Sequence, residues 1–211
     1  MKNKITTKEK ILKVSAKLFA EKGFYGTSIR DIAKNAKVNV AAINYHFGSK
    51  KRLYLEVIQK VFLSHAEKIR KEFNSNIKNS PKNNPECVIS ALSKAVLLSK
   101  LPETERKVVF SLLVRELTDP SEAFPIIAKH ALLPLVEDVA KELNKFIKTQ
   151  KENLILTVLS IISQIIFFNF FSRWVRNAVS FPKYDEKTKE KIIQHIINFS
   201  LKGLEGCKGD T

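Results

Sequence analysis

Cysteine is nearly absent from this chain. Cys87 and Cys207 are its two thiols, and no His or Cys stands near either at metal-ligand spacing. A disulfide framework and a structural zinc site are therefore excluded, and a reducing, cytoplasmic compartment is expected. Glycine is scarce too: six residues, with no Gly-rich phosphate loop and no strained nucleophile turn among them. Four scattered histidines form no His-x-x-x-His pair and no catalytic constellation. Enzymatic activity, a cofactor and a bound metal are not expected. The first twenty residues read as a charged amphipathic helix rather than a signal peptide.

Acidic residues are the other shortage. The chain has 21 Asp and Glu against 37 Lys and Arg, a net charge of +16. The excess is uneven. Residues 1–72 hold 17 basic and 6 acidic side chains, a net +11, and the other 139 residues hold 20 and 15, a net +5. A generally Lys-rich composition explains the second figure but not the asymmetry. A basic N-terminal segment fits a polyanion, and nucleic acid is the expected partner.

With few glycines, and prolines that mark breaks, the expected fold class is all-α, with about nine helices. Thr6 and Glu9 have capping-box spacing and open a first helix that stops at Gly23. Ile29, Ile32, Ala33 and Ala36 form one face of a short second helix. Val40, Ile43 and Phe47 do the same for a third, with the apolar Val38 between them. This is a helix-turn-helix. The other face of the third helix offers Asn39, Ala41, Ala42, Asn44, Tyr45 and His46, with no acidic residue, as a major-groove helix requires. Base contacts are expected from Asn39, Ala41, Ala42 and Asn44: Asn can pair with adenine, and an alanine methyl can touch the thymine methyl. Asn39 has a competing role as the N-cap of the third helix.

Ser49 caps a fourth helix, expected to run to about Phe73, and a loop follows over 74–86. Further helices are expected near 87–99, 103–117, 121–148, 152–178 and 186–203, with Pro134 kinking or breaking the third of these. The eighth helix carries twenty consecutive uncharged residues, 153–172, long enough for a membrane span. Asn153, Thr157, Ser160 and Gln164 recur on one side of it as a polar seam, which favours a helix buried between its own core and a partner chain.

Residues 16–53 resemble the TetR family of bacterial transcriptional regulators. The matching residues are Ala16, Leu18-Phe19, Gly23, Phe24, Thr27, Asp31-Ile32-Ala33, Val38, Tyr45-His46-Phe47, Lys50 and Leu53. One departure stands out: the family usually has Gly before the turn valine, and here that residue is Lys37. The resemblance implies a DNA-binding domain over 1–52 and a helical effector-binding and dimerisation domain over 53–211. It implies phosphate contacts from Thr27, Tyr45, His46 and Lys50, and a homodimer through the eighth and ninth helices. It further implies a repressor that binds a palindromic operator and is released by a small molecule. The expected effector is apolar or amphipathic, held between the sixth, seventh and eighth helices by Phe110, Arg115, Glu116, Thr157, Ser160, Gln164, Phe167, Phe168, Phe171 and Trp174. Arg115 and Glu116 are open to three roles: a buried ionic pair, a ligand anchor or a solvated helix end. The alternatives for the whole chain are a ligand-independent architectural DNA-binding protein and a membrane-tethered regulator.

Overall fold

A computed structural model describes residues 6–170, 177–179 and 184–206. The first helices begin where a side-chain oxygen can accept an otherwise unpaired backbone N–H. α1 (Thr7–Lys22) starts at Thr6, whose hydroxyl accepts from the Glu9 amide while the Glu9 carboxylate accepts from the Thr6 amide. α2 (Ile29–Ala36) repeats the capping box with Ser28 and Asp31. α3 (Val40–Phe47) is capped by Asn39, and α4 (Lys50–Val57) by Ser49. After α4 the helix widens into a π-helical segment, Ile58–Leu63, and resumes as α5 (Ser64–Lys78), so the helical run ends beyond the expected Phe73.

α6 (Pro85–Leu97) is capped by Asn84, and α7 (Glu103–Thr118) follows. The helix expected over 121–148 is divided. α8 (Phe124–Ile127), a π-helical segment (Ala128–Leu132) and α9 (Leu133–Leu143) share that stretch. Pro134 stands two residues past the end of the π-helical segment, whose last residue, Leu132, is still in the right-handed helical conformation, so its missing N–H falls within a continuous helical run that changes its winding there. α10 (Lys151–Phe170) and α11 (Glu186–Gly206) close the chain.

The chain forms two compact units, and they do not divide it at a single point. The first combines Met1–Ala66 with Leu101–Ala131, and the second combines Glu67–Lys100 with Leu132–Thr211. In the first unit Ile11, Phe19, Ile32, Ile43, Leu53, Ile58, Leu112 and Ile127 are fully enclosed. α7 thus packs with the helix-turn-helix elements, on α1 and on the 58–63 segment. In the second unit α6 packs on α9, α10 and α11 around Phe73, Ile89, Leu92, Leu143, Val158, Ile165 and Ile196.

α10 buries only one stripe within its unit: Leu154, Val158, Ile161 and Ile165. At 3.6 residues per turn, Leu156, Leu159, Ser163 and Phe167 lie on the opposite side, and all four are exposed. The polar seam runs down the flank between the two stripes. Residues Lys151–Asn169 are long and apolar enough to cross a membrane, with a mean hydropathy of 1.5, and 22% of that stretch is buried.

Candidate nucleic-acid interface

The turn between α2 and α3 closes without glycine. Lys37 takes the left-handed conformation, φ 51° and ψ 50°. Its N–H donates to the Lys34 carbonyl at 3.2 Å, and the Val38 N–H donates to the Ala33 carbonyl at 3.0 Å. These are the paired bonds of a Schellman closure, with a strained Lys in the position glycine usually takes. Val38, half-buried, follows it directly.

On α3, Ile43 and Phe47 are buried, while Ala41, Asn44 and Tyr45 are exposed. Tyr45 is 86% exposed, an unusual state for a large ring. Ala42 and His46 are half-buried. The His46 ring lies 5.2 Å from Tyr45 and 6.1 Å from Phe47, centre to centre. Asn39 Oδ1 accepts from the Ala42 amide at 2.7 Å, so its side-chain oxygen is committed to the cap. At the start of α2, hydrogen bonds from the Ser28 hydroxyl and then its amide hold the Asp31 carboxyl below its ordinary range.

Two residues expected at the phosphates point inward instead. Thr27 is 1% exposed, and its hydroxyl donates to Leu18 O at 3.1 Å and Gly23 O at 2.8 Å. Lys50 Nζ donates to Phe24 O at 2.9 Å and Thr27 O at 3.1 Å, and sits 4.4 Å from the centre of the Phe24 ring. The physical reason is shared. The corner between α1 and α2 leaves carbonyls that no helix satisfies, and these two side chains supply the donors. The Thr27 hydroxyl is thus enclosed, while two of the three Lys50 ammonium N–H groups are committed to the corner.

Arg115 and Glu116 also depart from expectation. They belong to the first compact unit, as does Phe110, whereas the polar seam of α10 belongs to the second. Arg115 Nε donates to Ala20 O at 2.9 Å, and Nη2 donates to Glu21 O. Glu116 is 2% exposed and accepts from the Tyr54 hydroxyl, the Ser121 amide (3.0 Å) and the Ser121 hydroxyl (2.8 Å). They therefore form no ionic pair with each other, and Glu116 is not a solvated helix end. Burial, then the hydrogen bond to Glu116, pushes the Tyr54 hydroxyl far above its ordinary pKa. An acidic residue in an apolar helix signalled a hidden partner, but nothing in the sequence pointed to Tyr54 or Ser121.

The remaining seam residues line an open groove of about 340 Å³ between α10 and α11, formed by Asn153, Thr157, Ser160 and Gln164 facing Phe199, Ser200 and Gly203. This is not the expected place between the sixth, seventh and eighth helices. The seam is also largely self-satisfied: Thr157 donates to Asn153 O, Ser160 to Leu156 O, and Gln164 to Ser160 O and Ser200 Oγ. Phe167 is 45% exposed and Phe168 half-buried. Phe171 and Trp174 lie outside the described residues. Among the described residues no group of three His, Cys, Asp or Glu could hold a metal ion.

Comparison with known proteins agrees with this architecture. Residues 11–57 match the pattern described as bacterial regulatory proteins, tetR family. Residues 85–204 match the C-terminal domain of the HTH-type transcriptional dual regulator CecR. The HTH-type transcriptional regulator YttP of Bacillus subtilis (strain 168) is 46% identical over 59 residues, 28% of each chain. The HTH-type transcriptional repressor NicS of Pseudomonas putida (strain KT2440) is 40% identical over 58 residues, 28% of this chain and 27% of NicS. The match thus spans less than a third of either relative. A TetR-like transcriptional regulator from Rhodococcus sp. RHA1 superposes with a TM-score of 0.67 at 17% identity, covering 98% of this chain and 100% of the other. That likeness shows the fold, and the two sequence patterns show the kinship. The chain belongs to the TetR family of bacterial transcriptional regulators.

Proposed function

We propose that this protein is a cytoplasmic repressor that binds a palindromic operator as a homodimer and is released by a small molecule. The observation that carries the DNA contact is the outer face of α3. It has Ala41, Asn44 and an 86%-exposed Tyr45, no acidic residue, and a net +11 segment around it. Asn44 and the two alanines are the base readers, and Tyr45 and His46 contact phosphate. Asn39 serves as the cap. Thr27 and Lys50 act from within by fixing the corner, and of the amides at the start of α4 those of Lys50 and Lys51 meet a phosphate, the Arg52 amide being held by Ser49. Repression is suggested by NicS, a repressor by name.

The homodimer is supported by the exposed apolar stripe of α10 and by Phe199 of α11, 61% exposed. A self-pairing of these two helices would cover both. This also accounts for a helix apolar enough for a membrane without one; cell fractionation tests the membrane-tethered alternative. The effector is proposed to be apolar or amphipathic and to bind in the second compact unit. The groove beside Thr157 and Gln164 is the feature that supports it.

The experiment is selection of duplexes from a randomised pool, followed by titration at several salt concentrations. Binding should weaken steeply with salt, with a log–log slope of about −0.9 per phosphate contacted. Tyr45→Phe should weaken binding to every sequence alike. Asn44→Ala should cost roughly 1–3 kcal/mol at one base position. Recovery of no preferred sequence would leave the architectural alternative.

A further inference from the structure

Residues 115–122 reach back across 62 to 95 positions of sequence to the elements that carry the helix-turn-helix. Arg115 binds two carbonyls of the last turn of α1, groups that every helix end leaves unsatisfied. Its guanidinium lies 3.2 Å from where a Cβ on Gly23 would stand, so Gly23 provides both the positive φ of 76° and the seat for the arginine. One residue further, Glu116 grips Tyr54 of α4, whose ring packs edge-on against Phe19 of α1 at 4.9 Å and near Phe24 at 5.3 Å. Lys51 of α4 also meets Glu122, an exposed contact of small weight. One short segment thus holds the end of α1 and the start of α4, the two helices that bracket α2 and α3. The corner between α1 and α2 is held from its other side by Thr27 and Lys50.

We propose that Arg115 and Glu116 are positioning residues for DNA binding: they fix α1 against α4 and thereby set the pose of the recognition helix, without touching DNA. The inference rests on the DNA-binding function proposed above. Its physical support is the choice of residues. A buried carboxylate held by a phenol, a hydroxyl and an amide, with no ion pair to it among the described residues, is a poor way to add stability. A well-packed apolar side chain commonly does as well or better. What the network adds is direction. Two bonds from Ser121 orient the Glu116 carboxylate, which directs the single bond from the Tyr54 hydroxyl, and the Arg115 guanidinium directs two carbonyls of the α1 terminus.

The test compares Glu116→Met, Arg115→Lys and Tyr54→Phe with the wild type. Each is measured for melting temperature, for affinity to a duplex that the wild type selects from a randomised pool, and for affinity to an unrelated duplex of equal length. Glu116→Met and Arg115→Lys should stay folded and lose about tenfold or more in affinity for the selected duplex, the size of one good base contact. Affinity for the unrelated duplex, and its salt slope, should hold, because the surface charges are unchanged. Tyr54→Phe should show a smaller loss, and adding it to Glu116→Met should have no further effect. A folded variant with unchanged selected-duplex affinity would overturn the inference. So would parallel losses on both duplexes that track a falling melting temperature, which is the signature of stability alone. If Glu116→Met does not fold, Arg115→Lys and Tyr54→Phe decide by the same ratio. A wild type that selects no preferred duplex would instead remove sequence-specific binding, and this inference with it.

Discussion

Replacing Lys37 tests the α2–α3 turn through the backbone alone. Lys37 is exposed and has a positive φ of 51°, the only non-glycine to do so among the described residues. Holding an L-residue there costs about 1–2 kcal/mol, because Cβ crowds the following carbonyl. Glycine removes that cost but gives back about 0.5–1 kcal/mol through its freer unfolded chain. The lysine charge near the end of α2 adds a favourable dipole interaction of about 0.3–1 kcal/mol, which any neutral residue loses. The clean comparison is therefore Lys37→Gly against Lys37→Ala, which share that loss. The glycine variant should be more stable than the alanine variant by about 0.5–1 kcal/mol. For a chain of this size that is about 1–4 °C in melting temperature. Both bonds of the closure, from the amides of residues 37 and 38, are backbone bonds and survive in either variant. Thermal and urea unfolding followed by circular dichroism would measure the difference. An alanine variant equal to or more stable than the glycine variant would refute the strain at Lys37.

Three further outcomes follow from other parts of the molecule. Tyr54→Phe should lower stability by about 1.5–3 kcal/mol in urea unfolding, the worth of a hydrogen bond to a charged group. The Asp138 carboxyl is held below its ordinary range by hydrogen bonds from Arg70, partly offset by burial and aided by Asn74. A depressed carboxyl stabilises the fold above its unfolded value of about 3.9, and that gain is lost as pH falls through the folded value. Asp138→Asn should thus cost no more than about 1 kcal/mol at neutral pH, because the Arg70 pair is partly exposed and screened, and nothing in strong acid. Equal losses at both pH values would contradict the assignment. Leu159→Arg and Phe199→Arg each place a charge on the exposed apolar face of α10 and α11, and should yield monomers in sedimentation at micromolar concentration; dimers from both would place the interface elsewhere.

Much of the N-terminal unit was legible because its determinants are local. The Thr6–Glu9 box, the Asn39 and Ser49 caps, the Gly23 stop and the missing glycine at Lys37 each act within four residues, so spacing alone reveals them. The acid-free outer face of α3 is equally a matter of period. Periodicity shows that a face is buried but not what it is buried against. The resemblance implied phosphate contacts for Thr27 and Lys50, and no local pattern showed that both also donate to the carbonyls of a corner. For the same reason Arg115 and Glu116, read as residues of a ligand domain, turned out to belong with α1 and α4. The apolar run of α10 defined a helix and its polar seam. Only packing decided that Leu154, Val158, Ile161 and Ile165 face the core, that Leu156 and Phe167 are left outside, and that the seam borders α11. Local hydrogen bonds are written in neighbouring residues. The partner of a buried charge or an apolar stripe lies on distant chain segments, 62 positions away for Glu116 and Tyr54 and 36 for Gln164 and Ser200, and it exists only once they have folded together.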